Sequence, residues 1–391
     1  MADKMNRVAP LPAAADVVVI GEGAIAASAT FYLAEAGVEV LMLCAGDKAG
    51  DGATGPGLGA VGAVRGSDPT MLDLIVRSVR ELQAFEERFG RSIAWDQQGF
   101  LGLVPLNGDL TELRQRAEAL TARGLDARVV APEDARCPYI DPTRYAGALF
   151  VPGAAMVYGD LIGSFVTDAA ELRGAQVRVG VPVTAVGCAH GGITSVVTDA
   201  GTVRTRTVVN CEELRAAEIG ALASQPLPVR PVKRSLFYTA DVDPEPWMLF
   251  PYTIDLETDL VLHPAGEGLL FGVMRQLGTD AQISRESELS DARAAAADRL
   301  PALATADVPH GGPCCTCDDT PDGLPLIGRS EAVHGFVYAV GLGGEGFALA
   351  PGVGQVVRDL VLGNEPFTDV SGLSADRFER PRPRRGWFGR R

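Results

Sequence analysis

Apolar residues fall along this chain in short runs with two different periods. Val17-Val18-Val19-Ile20 is an unbroken β-branched run that stops at Gly21, the pattern of a strand buried on both faces. Over 24–36 the spacing changes. Phe31, Leu33 and several alanines share a packing side, and Gly37 supplies the stop, which predicts a helix. A second apolar strand is predicted over 38–43. Strand, helix and strand make one β-α-β unit, whose parallel strands need a right-handed crossover. Residues 47–66 hold many glycines and almost no large side chains, predicting a loop whose backbone lies close to something. Residues 70–89 predict an amphipathic helix.

From about 95 to 150 the pattern turns to short strands punctuated by Pro and Gly, a second and antiparallel layer. A helix is predicted around 160–174. The runs 177–186, 193–197 and 203–209 alternate like strands returning to the first layer. Residues 229–240 and 259–274 again predict antiparallel strands, and 284–299 a helix. After Pro321 the chain rejoins the first unit and ends in a helix near 346–361. No internal repeat is visible. The expected fold class is α/β: a Rossmann-like unit (15–94, 156–225 and 318–378) interleaved with an antiparallel-sheet α+β unit (95–155 and 226–317), then a basic tail, 379–391.

A chain of 391 residues with 47% apolar content can bury a core large enough for two domains. No apolar run reaches the roughly 18 residues needed to span a bilayer. Lys4 and Arg7 are not followed by the apolar core of a secretion signal, so a cytoplasmic location is expected. The seven cysteines, at 44, 137, 188, 211, 314, 315 and 317, are an odd number in a large chain, which argues against a disulfide framework. A net charge of −15 disfavours nucleic acid and anionic membranes as partners. The Arg-rich end, Arg380 to Arg391, reads either as a solvated tail or as a docking segment. A homo- or hetero-oligomer held through the acidic surface or this tail is the corresponding expectation.

Candidate chemistry begins at the first turn. Gly21-Glu22-Gly23-Ala24-Ile25-Ala26 follows a strand and opens a helix. Gly21 permits the tight turn, Gly23 lets the backbone approach a pyrophosphate, and the small Ala26 lets the helix pack closely. An acidic residue should close the second strand and hold a ribose, but Cys44 stands there, with Asp47 near enough to substitute. Glu22 sits between the glycines, where it repels phosphates unless it points away. The bland alternative is a β-α-β unit that has lost its nucleotide.

The C-terminal part is more specific. Thr320-Pro321-Asp322-Gly323-Leu324-Pro325-Leu326-Ile327-Gly328 is followed by the apolar run Phe336–Val340, then Gly341-Leu342-Gly343-Gly344-Glu345-Gly346 and Ala350-Pro351-Gly352. Together with Gly52-Ala53-Thr54-Gly55, Asp68-Pro69, Val208-Val209-Asn210 and Asp376-Arg377-Phe378, this resembles the D-amino-acid oxidase-like superfamily of flavoproteins. The branch it resembles holds sarcosine oxidase, glycine oxidase and opine or proline dehydrogenase subunits. The resemblance runs from about residue 15 to 378. It implies FAD stretched across the Rossmann-like domain, with Gly21, Gly23, Ala26, Thr54, Gly55 and Asp322 among the cofactor-binding residues. Gly343, Gly344 and Gly346 would lie against the flavin, with the 346–361 helix aiming its positive end at the ring. Departures are Cys211-Glu212-Glu213 where small residues are usual, Gly344 and Glu345 where Ser and His are common, and Pro56 where Arg or His follows Ala-Thr-Gly.

Cys314-Cys315-Thr316-Cys317 leaves three readings open. Cys315 stands at the spacing from Asp322 at which sarcosine oxidases attach flavin covalently, so a Cys315–FAD link is one. A metal or iron–sulfur site is a second, although no fourth ligand stands at usual spacing. Incidental core cysteines are the third.

The activity implied by the resemblance is removal of hydride from the carbon beside an amine, passed to flavin N5, on a small-molecule amine or amino acid. Such a site needs a cation for a carboxylate, and Arg65 is the first candidate, with Lys233 and Arg234 behind it. Tyr252 and Tyr238 are candidates for the pocket wall. His263 replaces a residue that often faces substrate. Two other readings stay open: a flavin-free, catalytically silent partner subunit, and flavin-free chemistry around Glu345 and Cys317. No Ser-His-Asp, His-Glu-x-x-His or phosphate-loop Lys pattern points to a hydrolase or kinase.

Overall fold

The computed structural model describes residues 10–50, 59–135, 137, 139–240, 250–265, 268–274, 285–297, 300, 303, 306–308 and 310–378. Its central sheet has six strands, in the order Leu326–Arg329, Phe336–Val340, Thr207–Asn210, Val17–Ile20 (β1), Val40–Leu43 (β2) and Gln176–Arg178. Neighbours run parallel except in the hairpin of Leu326–Arg329 with Phe336–Val340. The register pairs Ile20 with both Leu43 and Asn210, and Asn210 with Tyr338. Gly21, Cys44 and Cys211 therefore leave the sheet side by side along one edge. In an open α/β sheet that carboxyl edge is where ligands bind.

Helix Ala24–Glu35 (α1) joins β1 to β2, and every residue from Ala24 to Ala34 is buried. It lies between the sheet and the helices Leu161–Arg173 and Gly346–Leu362. Small residues permit that depth. The Ser28 hydroxyl donates to the Ala350 carbonyl at 2.7 Å, and a Cβ on Gly354 would overlap Ser28. A helix surrounded on all sides loses the polar stripe of a surface helix, which is why it reads as apolar all round.

An eight-stranded sheet lies beside this layer, in the order His310–Asp319, Arg230–Tyr238, Gly268–Val273, Leu260–Ala265, Tyr252–Asp255, Phe100–Pro105, Tyr145–Val151 and Arg128–Val130. Its pairs are antiparallel except Tyr252–Asp255 with Phe100–Pro105. Alternate residues divide between two cores. Phe100, Tyr252, Ile254, Val261 and Leu270 join the core shared with the central layer. Leu101, Leu103, Leu262, Leu269 and Phe271 pack around Phe250 on the other face, with helix Arg285–Ala296 against the strands. Ala60–Val61, Ala155–Val157 and Trp95–Asp96 form a small three-stranded sheet.

Three features depart from the sequence pattern. The 177–186 run is two strands in different sheets: Gln176–Arg178 joins the central sheet, while Val183–Ala189 pairs with Gly192–Thr198, which pairs in turn with Gly201–Arg204 in a separate meander. The 70–89 helix breaks at Ala84 into Pro69–Gln83 and Phe85–Phe89. Helix Leu110–Ala122 lies inside the stretch expected to be short strands. Its start is fixed by Asp109, whose carboxylate accepts from Thr111 and Glu112 N–H.

Candidate functional site

The cradle is built where β1 turns into α1. Gly21 has φ +140°, and a Cβ there would stand 2.5 Å from the Cys211 carbonyl oxygen and 3.2 Å from Ala26 Cβ. No other residue fits that turn. Gly23 is the N-cap of α1 and supplies no side-chain cap. Glu345, the N-cap of Gly346–Leu362, likewise makes no capping bond with its side chain. Both helices begin at one cavity, lined by Gly23, Ala24, Ile25, Leu342 and Gly346, with Glu212, Glu213 and Asp318. Two helix N-termini supply convergent partial positive charge and aim their first N–H groups at a shared space.

Carboxylates stand at this cavity and beside the glycine turn. The Glu22 side chain turns away from the glycine turn, and its Oε2 accepts from Gly46 N–H at 2.5 Å. Glu212 follows the strand Thr207–Asn210 and is only 7% exposed. Burial, reinforced by Glu22, pushes its carboxyl up to about 7, against a partial opposing pull from Arg215. Asp318 is the next-to-last residue of the strand His310–Asp319. Its Oδ2 accepts from Gly341 N–H at 2.5 Å, while buried Oδ1 has no hydrogen-bond partner among the described residues. Burial and then Glu213 push it well above the usual carboxylate range.

Gly341, Gly343 and Gly344 all have positive φ in the loop that joins Phe336–Val340 to the helix Gly346–Leu362, and Leu342 and Gly346 of this stretch line the cavity. Gly343 N–H donates to the Asp318 carbonyl at 2.9 Å. At this end Arg65 Nε lies 3.6 Å from Glu345 Oε1, and the Arg65 side chain is 4% exposed. Arg116 steadies the segment by donating to the Arg65 carbonyl and the Ser67 hydroxyl.

The candidates on the large sheet form its inner wall. Tyr238 and His263 both pair with Leu270, and Leu270 and Tyr252 belong to the shared core. The Tyr252 and His263 rings are 6.2 Å apart, centre to centre. His263 is held neutral, because burial lowers its imidazole to about 4 despite Asp96. Its Nε2 has no hydrogen-bond partner among the described residues. Tyr238 is 37% exposed, at the end of its strand.

Other candidates separate from this group. Lys233 is engaged by Glu288 of helix Arg285–Ala296 at 3.4 Å. Asp322 is a structural tie: Arg377 binds it in bidentate fashion, with Nε and Nη2 each at 2.8 Å. The Thr320 hydroxyl and Leu324 N–H also donate to it. Cys44 is buried at the tip of β2. The Cys315 backbone pairs with Arg234, but the side chains of both residues, and all of Thr54, Gly55 and Pro56, lie outside the described residues. Sequence reasoning missed Asp318, although two consecutive acids directly after the cysteine cluster were a signal. It also missed the Arg377 clamp and Arg116, whose partners lie far away in the chain.

The glycine turn, the two helix N-termini without a side-chain cap and a buried acid whose Oδ1 has no partner among the described residues fit a flavin dinucleotide. Glu212 and Glu213 are departures, tempered by the burial that favours the neutral form of Glu212. A sequence model of the DAO family, described as FAD dependent oxidoreductase, matches residues 16–360. Mitochondrial sarcosine dehydrogenase of Homo sapiens is 26% identical over 94% of this chain and 42% of its own length. Mitochondrial dimethylglycine dehydrogenase of Mus musculus is 25% identical over 93% of this chain and 44% of its own. The chain thus spans less than half the length of these relatives. Among solved structures, L-proline dehydrogenase from P. horikoshii superimposes with a TM-score of 0.84 at 24% identity, covering 94% of this chain and 99% of that one. Among the described residues no helix is long and apolar enough to cross a membrane.

Proposed function

The chain belongs to the DAO family of FAD-dependent oxidoreductases, and from that premise we propose that it oxidises the carbon–nitrogen bond of a small amino acid, with secondary amines such as N-methyl amino acids first in line. The observation that carries this reading is the convergence of α1 and Gly346–Leu362 on one cavity beside the glycine turn. When bound, FAD supplies the acceptor for the hydride leaving the carbon next to nitrogen.

The protein's own residues divide the remaining work. Gly21, Gly23 and Ala26 let the dinucleotide reach the α1 N-terminus, and Gly343, Gly344 and Gly346 keep the ring end free of side chains. The N-terminus of Gly346–Leu362 stabilises negative charge arising on a reduced ring. Arg65 provides the cation at that end, beside Glu345, which supports it as the group that receives a substrate carboxylate. Neutral His263 presents an acceptor nitrogen able to orient an amine N–H, with Tyr252 beside it as wall. The amine needs only to be neutral when it reacts, so no strong base is required. Membership of an enzyme family, and relatives named as sarcosine and dimethylglycine dehydrogenases, favour this reading over a flavin-free subunit.

A visible spectrum of the purified protein, before and after acid precipitation, tests the proposal. Flavin bands that bleach on adding sarcosine, dimethylglycine or proline without oxygen are expected. A protein that stays colourless after incubation with FAD would refute it. Bands that remain with the precipitate would mark a covalent link and direct attention to Cys315.

A further inference from the structure

We infer that Glu22 takes the place of the missing acid at the tip of β2 and accepts a hydrogen bond from the adenosine ribose of the bound dinucleotide. In a dinucleotide fold the ribose lies beside the end of the second strand, where an Asp or Glu usually meets its hydroxyls. Here that position is Cys44, a fully buried thiol that cannot serve as a charged acceptor.

The residues just beyond it are wrapped around Glu22. Gly46 N–H donates to Glu22 Oε2 at 2.5 Å, and Gly50 N–H donates to the Glu22 carbonyl at 2.7 Å. The carboxylate is thereby held two residues past Cys44, at the β2 end of the cradle, with Oε1 left to accept from a hydroxyl. It reaches that place from the glycine turn and not from the strand. A residue expected to repel phosphates is turned sideways to the ribose end.

The inference rests on the flavin-dinucleotide reading, and the test separates the two. Full-length apoprotein, made under riboflavin limitation, is titrated calorimetrically with FAD, ADP and 2′-deoxy-ADP, alongside Glu22→Gln. The Gln amide oxygen can still accept from Gly46 N–H, so the loop is kept, and a thermal melt checks that it is. The wild type is expected to prefer ADP over 2′-deoxy-ADP, and Glu22→Gln to lose that preference and bind FAD about 10- to 100-fold more weakly, the range for a charge-assisted hydrogen bond. If Glu22→Gln binds FAD as tightly or more tightly and keeps the preference for ADP, Glu22 is not the ribose acceptor, although the flavoprotein reading stands. If the wild type binds none of the three, both fall.

Discussion

Replacing Glu212 by Gln should stabilise the protein near and above neutral pH and leave it nearly unchanged below about pH 5. The carboxyl is almost fully buried beside Glu22, and its folded-state value of about 7 stands above the ordinary 4.5. Between those two values the folded chain holds a proton that the unfolded chain has released. The free energy of unfolding therefore falls as pH rises through that window, and is flat below and above it. At about 1.4 kcal/mol per pH unit, the full penalty is about 3 kcal/mol. A glutamine has the same shape and no charge to desolvate, so the variant escapes the penalty. Urea unfolding of both proteins at pH 5, 6, 7 and 8 measures it. The difference should be under about 1 kcal/mol at pH 5 and rise toward about 3 kcal/mol at pH 8. A difference that is zero throughout, or constant with pH, would refute the claim that burial of this carboxyl is what raises it.

Other outcomes follow from single contacts. Arg377→Ala removes the bidentate partner of Asp322 and donors to the Pro325 and Leu373 carbonyls; a loss of about 3–5 kcal/mol in the urea midpoint analysis is expected, and a loss below about 1 kcal/mol would mean the clamp is ornamental. Gly21→Ala must move the Cys211 carbonyl or the turn, so it should lower the melting temperature and abolish FAD retention, both readable from one purified sample. His263→Phe should raise KM about five- to tenfold for an amine substrate, the worth of one neutral hydrogen bond, with little change in melting temperature. Because the His263 imidazole titrates near 4, the wild-type pH–rate profile should show no step from it between pH 6 and 9.

Much of the fold was legible in the sequence because the signals were local. A β-branched run ending at Gly21, an apolar helix and a second apolar run define a β-α-β unit whatever surrounds them, and the Pro-Asp-Gly segment with its glycine-rich loop carried the family resemblance. What failed had one local cause and one non-local cause. The helix Leu110–Ala122 carried its own cap at Asp109 but was hidden among Pro and Gly turns. The 177–186 run has one continuous pattern, although its two halves pair in different sheets, and strand pairing is not written in a single strand.

The site itself divides along the same line. The sequence determined that Gly21 and Gly23 open a helix, that Cys44 replaces an acid, and that Glu22, Glu212 and Glu213 bring charge near the cofactor path. Only the tertiary structure decided what those charges do. Glu22 is turned onto Gly46, Asp318 is buried with one free oxygen, Arg65 faces Glu345 and Asp322 is engaged by Arg377. The reason is physical: a carboxylate's role depends on its desolvation and on the partners that reach it, and those partners stand 24, 23, 280 and 55 residues away along the chain.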